Sequence, residues 1–314
     1  MLNWCAQCAQ VSTLGQLALV TMVLTITTFY CVCETQGRWR HCWLIAGALF
    51  AALTVGFAVS GGMIDAPGVA GLALFAIVCY GYRVASRPYL TKLLAAVLIV
   101  FAVLLATHKL PGFHGLPLLA PMSLCDGCQN FWLLGHLDKP AVGLLLFVIA
   151  LAGLKLPYRR EASAPSFLWN AGITVASVAI IASVTMATAS LLGAVCWAPK
   201  APEIATVALF FVVNLFFTTY AEEVFFRMFL HDAMRRFFPE TLVHTWKIII
   251  VSATIFGIAH LAGGPLVALG AVIAGLGYAY VYEKTQRIEW AIAAHLGVNM
   301  SHFLLFSYPR LTPP

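Results

Sequence analysis

Charge is the first thing this sequence is short of. Asp, Glu, Lys and Arg make up 10% of its 314 residues, against 61% apolar residues, where a soluble domain carries about 25% charged residues. That leaves too little polar surface for a water-soluble fold of this size, so the bilayer is expected to be the solvent for most of the chain. Lys and Arg are absent from residues 1–33. A cleavable signal peptide needs a basic start and a shorter apolar stretch than the run from Leu14 to Cys33, so that run is expected to be a retained first span. No tandem repeat or low-complexity tract is present. The net charge of +6 does not signal nucleic acid, because the 18 basic residues sit in short clusters between apolar runs, where they set topology.

What the chain does have is about ten apolar segments able to cross, or nearly cross, a membrane: 12–33, 43–63, 67–82, 90–108, 140–156, 168–192, 204–230, 246–263, 265–282 and 288–307. The third and fifth are short, so an all-α polytopic bundle of eight to ten spans is expected. Breaks fall at Gly61-Gly62, Pro111, Pro140 and Gly263-Gly264-Pro265. Connections after odd-numbered spans hold Arg38 and Arg40; Arg83, Arg87 and Lys92; Lys155, Arg159 and Arg160; Arg235, Arg236 and Lys247; Lys284 and Arg287. Connections after even-numbered spans hold Asp65; Lys109 and Lys139 against Asp126 and Asp138; and Lys200 against Glu203. By the positive-inside rule the odd connections are cytoplasmic and both termini face outward, with Arg310 a minor exception. The expected setting is multi-pass, in a bacterial inner membrane or its equivalent.

Cysteines follow the same map. Cys5, Cys8, Cys125, Cys128 and Cys196 fall on the outer side; Cys31, Cys33 and Cys42 lie near the inner side, and Cys79 is inside a span. The two C-x-x-C pairs are expected to form disulfides in an oxidising compartment, internally or with each other, and a bridge between the pairs would tie the N-terminus to the long 111–143 connection. A zinc site of four thiolates and four unpaired thiols are the alternatives. The connection itself is expected to be a plain re-entrant loop, with a lid or substrate gate as the alternative.

The seventh segment contains Glu222-Glu223-Val224-Phe225-Phe226-Arg227. Each ionisable group at the centre of a span costs roughly 2.5–3.5 kcal/mol on insertion scales, a cost normally kept for function or for tight internal pairing. Glu223 and Arg227 are four apart and can pair on one face, which by itself is only a salt bridge steadying a helix. Glu222 points about 100° away. A carboxylate in an apolar site is a candidate general base. The eighth segment carries Phe256 and His260, the tenth His295 and Asn299, each pair at i, i+4. A lone His near a span end is more often a hydrogen-bonded interfacial residue, and a His-x-x-x-Asn pair is often helix–helix glue. The weight lies in the concentration: two Glu, an Arg, two His and an Asn within three of the last four spans, and almost no other strongly polar residue in any span besides Asn170 and Asn214. Asn214 is expected to join helices, and His231, His244 and His302 to be interfacial.

Glu-Glu-x-x-x-Arg, then Phe-x-x-x-His, then His-x-x-x-Asn, each on its own helix, resembles the CPBP family of intramembrane proteases, which includes the type II CAAX prenyl proteases and the Abi proteins. The resemblance covers about residues 204–306. It implies that Glu222 activates water, that His260 binds the water or the oxyanion, that His295 and Asn299 complete the pocket, and that Glu223 and Arg227 hold the geometry. It divides the chain into an N-terminal transmembrane extension of unassigned role, residues 1–200, and a catalytic transmembrane domain, residues 201–314. The substrate it implies is a membrane-tethered protein or peptide: a prenylated-type tail, or the sorting tail or leader of an exported protein.

No cofactor is expected. Zinc held by Glu222, His260 and His295 is the alternative, but the helical His-Glu-x-x-His signature is absent. An ion- or proton-coupled transporter would also place Glu, Arg and His in the membrane, yet it should show polar residues in both halves, and here the first six spans are nearly bare. A non-catalytic scaffold is the third reading, and the intact motif set weighs against it.

Overall fold

The structure, a computed structural model, describes residues 12–153, 166–238 and 244–311. Ten helices carry most of them: α1 (Thr13–Glu34), α2 (Gly37–Ser60), α3 (Ala66–Val84), α4 (Pro88–Ala106), α5 (Asp138–Gly153), α6 (Phe167–Leu191), α7 (Ile204–Phe237), α8 (Thr245–Ala259), α9 (Pro265–Thr285) and α10 (Ile288–Leu305). Each corresponds to one of the ten apolar segments. Seven of them, α1 to α4, α6, α7 and α9, are long and apolar enough to cross a membrane. Large apolar side chains such as Ile45, Ile77 and Val175 are 71%, 66% and 70% exposed, an arrangement that suits lipid and would be unfavourable in water. The chain is a polytopic all-α integral membrane protein.

Local chemistry marks the helix ends. Ser12 accepts from the Gly15 N–H at 3.2 Å, Asp65 from Gly68 at 3.5 Å and Ser166 from Trp169 at 3.2 Å, each satisfying a first-turn donor that has no intrahelical partner. Pro67, Pro88 and Pro265 stand in the first turns of α3, α4 and α9, where the missing N–H costs nothing.

The described chain forms two compact units. The first takes in residues 12–120, 132–153 and 216–221. In it α1 and α2 pack along each other: the Thr25 and Thr54 hydroxyls meet at 3.4 Å, and Gly47 leaves room for the Phe29 ring. α3 and α4 form a second pair, with α5 against both. Gly143 of α5 lies so close to α7 that a Cβ there would come within 2.7 Å of Ala221 Cα.

The connection after α4 differs from the re-entrant loop expected. Two strands, β1 (Leu116–Met122) and β2 (Phe131–Gly135), pair with each other. Phe131, Trp132 and Leu133 alternate buried, exposed, buried, a period of two over a run too short to separate strand from helix by apolar content alone. Between the strands Cys125 and Cys128 are bonded to each other, with Gly127 at φ +68° in the turn. Their Cα atoms are 5.4 Å apart, a normal disulfide separation. Of the two pairings the sequence left open, this is the internal one for Cys125 and Cys128, and it removes both from a four-thiolate zinc site. Cys5 and Cys8 lie outside the described residues.

The second unit takes in residues 121–131, 166–215, 222–238 and 244–311. α6 packs against α9 and α10, with Gly277 under Ile181 and Gly297 under Val178, where a Cβ would come within 2.2 and 2.9 Å of those side chains. Phe131, Phe210, Phe303 and Tyr308 cluster, Phe210 stacking on Phe303 at 3.9 Å.

Candidate active site

α7 is not an α-helix throughout. Asn214–Thr219 and Val224–Leu230 are π-helical turns, and Tyr220–Glu223 is the α-helical piece between them. Such widened turns are rare and occur frequently at functional sites. The two carboxylates are therefore set at the end of a short α-helical piece between two stretches of altered hydrogen-bond register.

Glu223 and Arg227 form the expected pair: Arg227 Nε lies 3.1 Å from Glu223 Oε2, and neither side chain is exposed. An ion pair at this depth is tolerated only when its remaining polar atoms are also engaged. Arg227 Nη1 donates to Ser252 Oγ and Nη2 to the Gly275 carbonyl, both at 3.3 Å. The Phe226 and Phe256 rings lie 5.6 and 5.5 Å from the guanidinium carbon, within cation–π range. Gly275 permits the close approach, since a Cβ there would stand 3.2 Å from both Ala253 Cα and the Phe256 ring.

His295 joins the two carboxylates. Its Nδ1–H donates to Glu223 Oε1 at 2.9 Å, and its Nε2 lies 3.8 Å from Glu222 Oε2. The ring is stacked on Tyr278 at 4.3 Å with 17° between the planes. Glu222 is 11% exposed where Glu223 is fully buried. Two adjacent carboxylates thus have different settings: one locked into a structural network, the other beside a free edge of an oriented imidazole.

His260 follows the last residue of α8. Its Nδ1–H donates to the Phe256 carbonyl at 2.7 Å, which leaves Nε2 for chemistry. The Phe256 ring is 4.5 Å from His260 and 5.7 Å from His295, so it neighbours both imidazoles. Asn299 Nδ2 donates to Asn214 Oδ1 at 2.9 Å. Asn214 accordingly joins α7 to α10, as its type and position suggested. His231 pairs with Glu283 at 3.0 Å and His302 donates to the Ser307 carbonyl at 3.2 Å.

All six expected residues lie in the second unit. Glu222, Glu223, Arg227 and His295 form one directly connected group, His260 neighbours it through Phe256, and Asn299 is held separately by Asn214. Ser252, Gly275 and Tyr278 support the site and were not expected. Ser252 had a signal: with Phe256 and His260 it makes an i, i+4, i+8 row on α8. Tyr278 and Gly275 had none, because what matters about them is the helix they face. For the zinc alternative, His260 would have Nε2 as its one ligand atom, since Nδ1 is taken by Phe256.

No curated protein and no solved structure matches the chain. A comparison with known families matches residues 204–301 to the Rce1-like type II CAAX prenyl endopeptidases. The matched stretch holds Glu222, Glu223, Arg227, His260, His295 and Asn299, and over that stretch, about a third of its length, the chain is similar to the Rce1-like type II CAAX prenyl endopeptidases.

Proposed function

We propose that the chain is an intramembrane endopeptidase in which Glu222 activates a water molecule against a peptide bond of a membrane-tethered protein. The observation that carries this is the separation of 3.8 Å between Glu222 Oε2 and His295 Nε2. That is too long for a hydrogen bond and short enough for one water molecule to touch both atoms. His295 cannot turn away, because Glu223 holds its Nδ1 and Tyr278 its face.

The chemistry follows from the donor set. Glu222 takes a proton from the water as the oxygen attacks the carbonyl carbon, and returns it to the leaving amine. The developing oxyanion is met by the Asn299 amide N–H left over from its bond to Asn214, and by His260 in the form that carries a proton on Nε2 as well as on Nδ1. Glu223 and Arg227 keep His295 in place and touch no substrate. Residues 201–314 are the catalytic domain in this reading, and residues 1–200 are an N-terminal transmembrane extension. Both termini face outward, as the basic residues direct, and the Cys125–Cys128 bond supports an oxidising environment for that side.

The experiment is mass spectrometry of candidate membrane substrates from cells carrying the wild-type chain or Glu222→Ala. Cleaved termini that vanish in the variant support the reading and identify the substrate class, a prenylated-type tail or the sorting tail or leader of an exported protein. Identical termini in both would overturn it.

A further inference from the structure

A second cluster of chemistry-bearing side chains lies in the first unit, apart from everything used above. His108, His136 and Asp138 each offer a ligand atom, and these atoms lie within 4.8 Å of one another. His108 Nδ1 is 2.6 Å from Asp138 Oδ2, and the His108 and His136 rings stack at 4.0 Å with 27° between their planes.

Three features go beyond an ion pair at a helix end. The first is the backbone at His108. α4 closes with the His108 N–H bonded to the Leu105 carbonyl and the Lys109 N–H to the Leu104 carbonyl, both near 3.0 Å, and His108 itself sits at φ +57°. That closing position normally takes Gly, because a side chain in the left-handed region costs about 1–2 kcal/mol. A histidine held there is consistent with a role for its imidazole. The second is His136. Its Nδ1 is buried and has no hydrogen-bond partner, although a buried ring nitrogen ordinarily has one. The third is the space around it. A Cβ on Gly115 would come within 2.6 Å of His136 Cε1 and Nε2, so the ring is seated closely against bare backbone.

We propose that His108, His136 and Asp138 form a binding site for a divalent transition-metal ion, with zinc as its first candidate. Two imidazole nitrogens and one carboxylate oxygen are the donor set such ions take, and three protein ligands leave a position for water. Ligand atoms around a tetrahedral zinc stand about 3.4 Å apart, given bond lengths of about 2.0–2.1 Å. The observed spacings, 2.6 Å on one edge and up to 4.8 Å on others, bracket that value and are met by side-chain rotation. The ion replaces the proton shared by His108 and Asp138 and engages the unpartnered nitrogen of His136. Asp138 is prepared for this: its Oδ1 accepts the Lys139 N–H at 2.9 Å, which leaves Oδ2 for the metal. His108 is 43% exposed and provides the entry.

The test uses the full chain in detergent, stripped with a chelator and titrated with zinc chloride. Wild type should retain one zinc per chain through gel filtration, and zinc should raise its Tm. Affinity should fall roughly tenfold or more in His136→Ala and in His108→Gln; the second lies at the exposed ligand, and a single cooperative melt of its metal-free form checks that the lost affinity is read on folded protein. Cobalt in place of zinc should give visible absorption that His108→Gln removes. Zinc retained equally by both variants, no retention by wild type, or loss in His295→Ala with retention in His108→Gln would each overturn the site. None of these readings depends on proteolysis.

Discussion

Glu223 accepts a hydrogen bond from His295 across 2.9 Å, although the two are 72 residues apart in the chain. That bond decides which of the adjacent carboxylates is structural. With Glu223 committed to His295 and Arg227, the proposed mechanism gives the reactive role to Glu222, and substitutions at the two positions should fail in different ways.

Glu222→Gln should abolish cleavage, a loss of about 10²–10⁴-fold for removal of a general base, while the Tm stays at the wild-type value. A membrane-tethered reporter in proteoliposomes measures the first and a thermal melt the second. Cleavage retained by Glu222→Gln would sink the mechanism.

Arg227→Ala and Glu223→Ala should each cost stability as well as activity. Each leaves its partner's charge buried without its counter-ion, a penalty of about 3–5 kcal/mol. The double variant Glu223→Leu/Arg227→Met removes both charges and should be more stable than either single variant, though inactive because His295 loses its anchor. Denaturant unfolding of wild type, Glu223→Leu, Arg227→Met and the double variant gives the cycle; strict additivity of the two single losses would show that the pair is not coupled.

Asn214→Ala should reduce turnover without touching the reacting atoms, because Asn299 loses the acceptor that orients its amide. The stability loss should be small, about 0.6 kcal/mol for a polar bond between membrane helices. A variant with wild-type turnover would remove Asn299 from the oxyanion role.

Thiol labelling of intact cells with a membrane-impermeant reagent tests topology and disulfide together. Cys125 and Cys128 should be labelled only after reduction, Cys196 before it, and Cys31 and Cys42 in neither case. In Cys125→Ser, Cys128 should label without reductant, because its partner is Cys125 and not Cys5 or Cys8. Labelling of Cys42 with Cys196 silent would invert the orientation.

The sequence made the helices legible because a span must be long and apolar whatever it packs against, and the ten helices fall where the ten apolar segments do. The pairs Glu223–Arg227 and Phe256–His260 were legible for a similar reason, since four residues is one turn and the contact is local. Glu223–His295, Arg227–Gly275 and Tyr278–His295 were not, because they depend on how α7, α9 and α10 face one another. β1 and β2 were hidden because five or seven apolar residues look alike in strand and helix. The Cys125–Cys128 bond is local, and it prevailed over the longer bridge because the turn at Gly127 brings the two Cα atoms together without any other movement.

The π-helical turns around Glu222 have one more consequence. Along an α-helix each residue advances the side-chain direction by about 100°, and a π turn takes more residues to close one revolution. The aim of Glu222 and Glu223 is therefore a matter of arithmetic as well as chemistry. Deleting one residue from Asn214–Thr219 would leave both carboxylates, both histidines and Arg227 in the chain. It would also swing the acids by about 100° around the axis relative to the start of α7, or force that whole start to turn instead. The site is thus encoded partly as a number of residues, a quantity that no inventory of residue types contains.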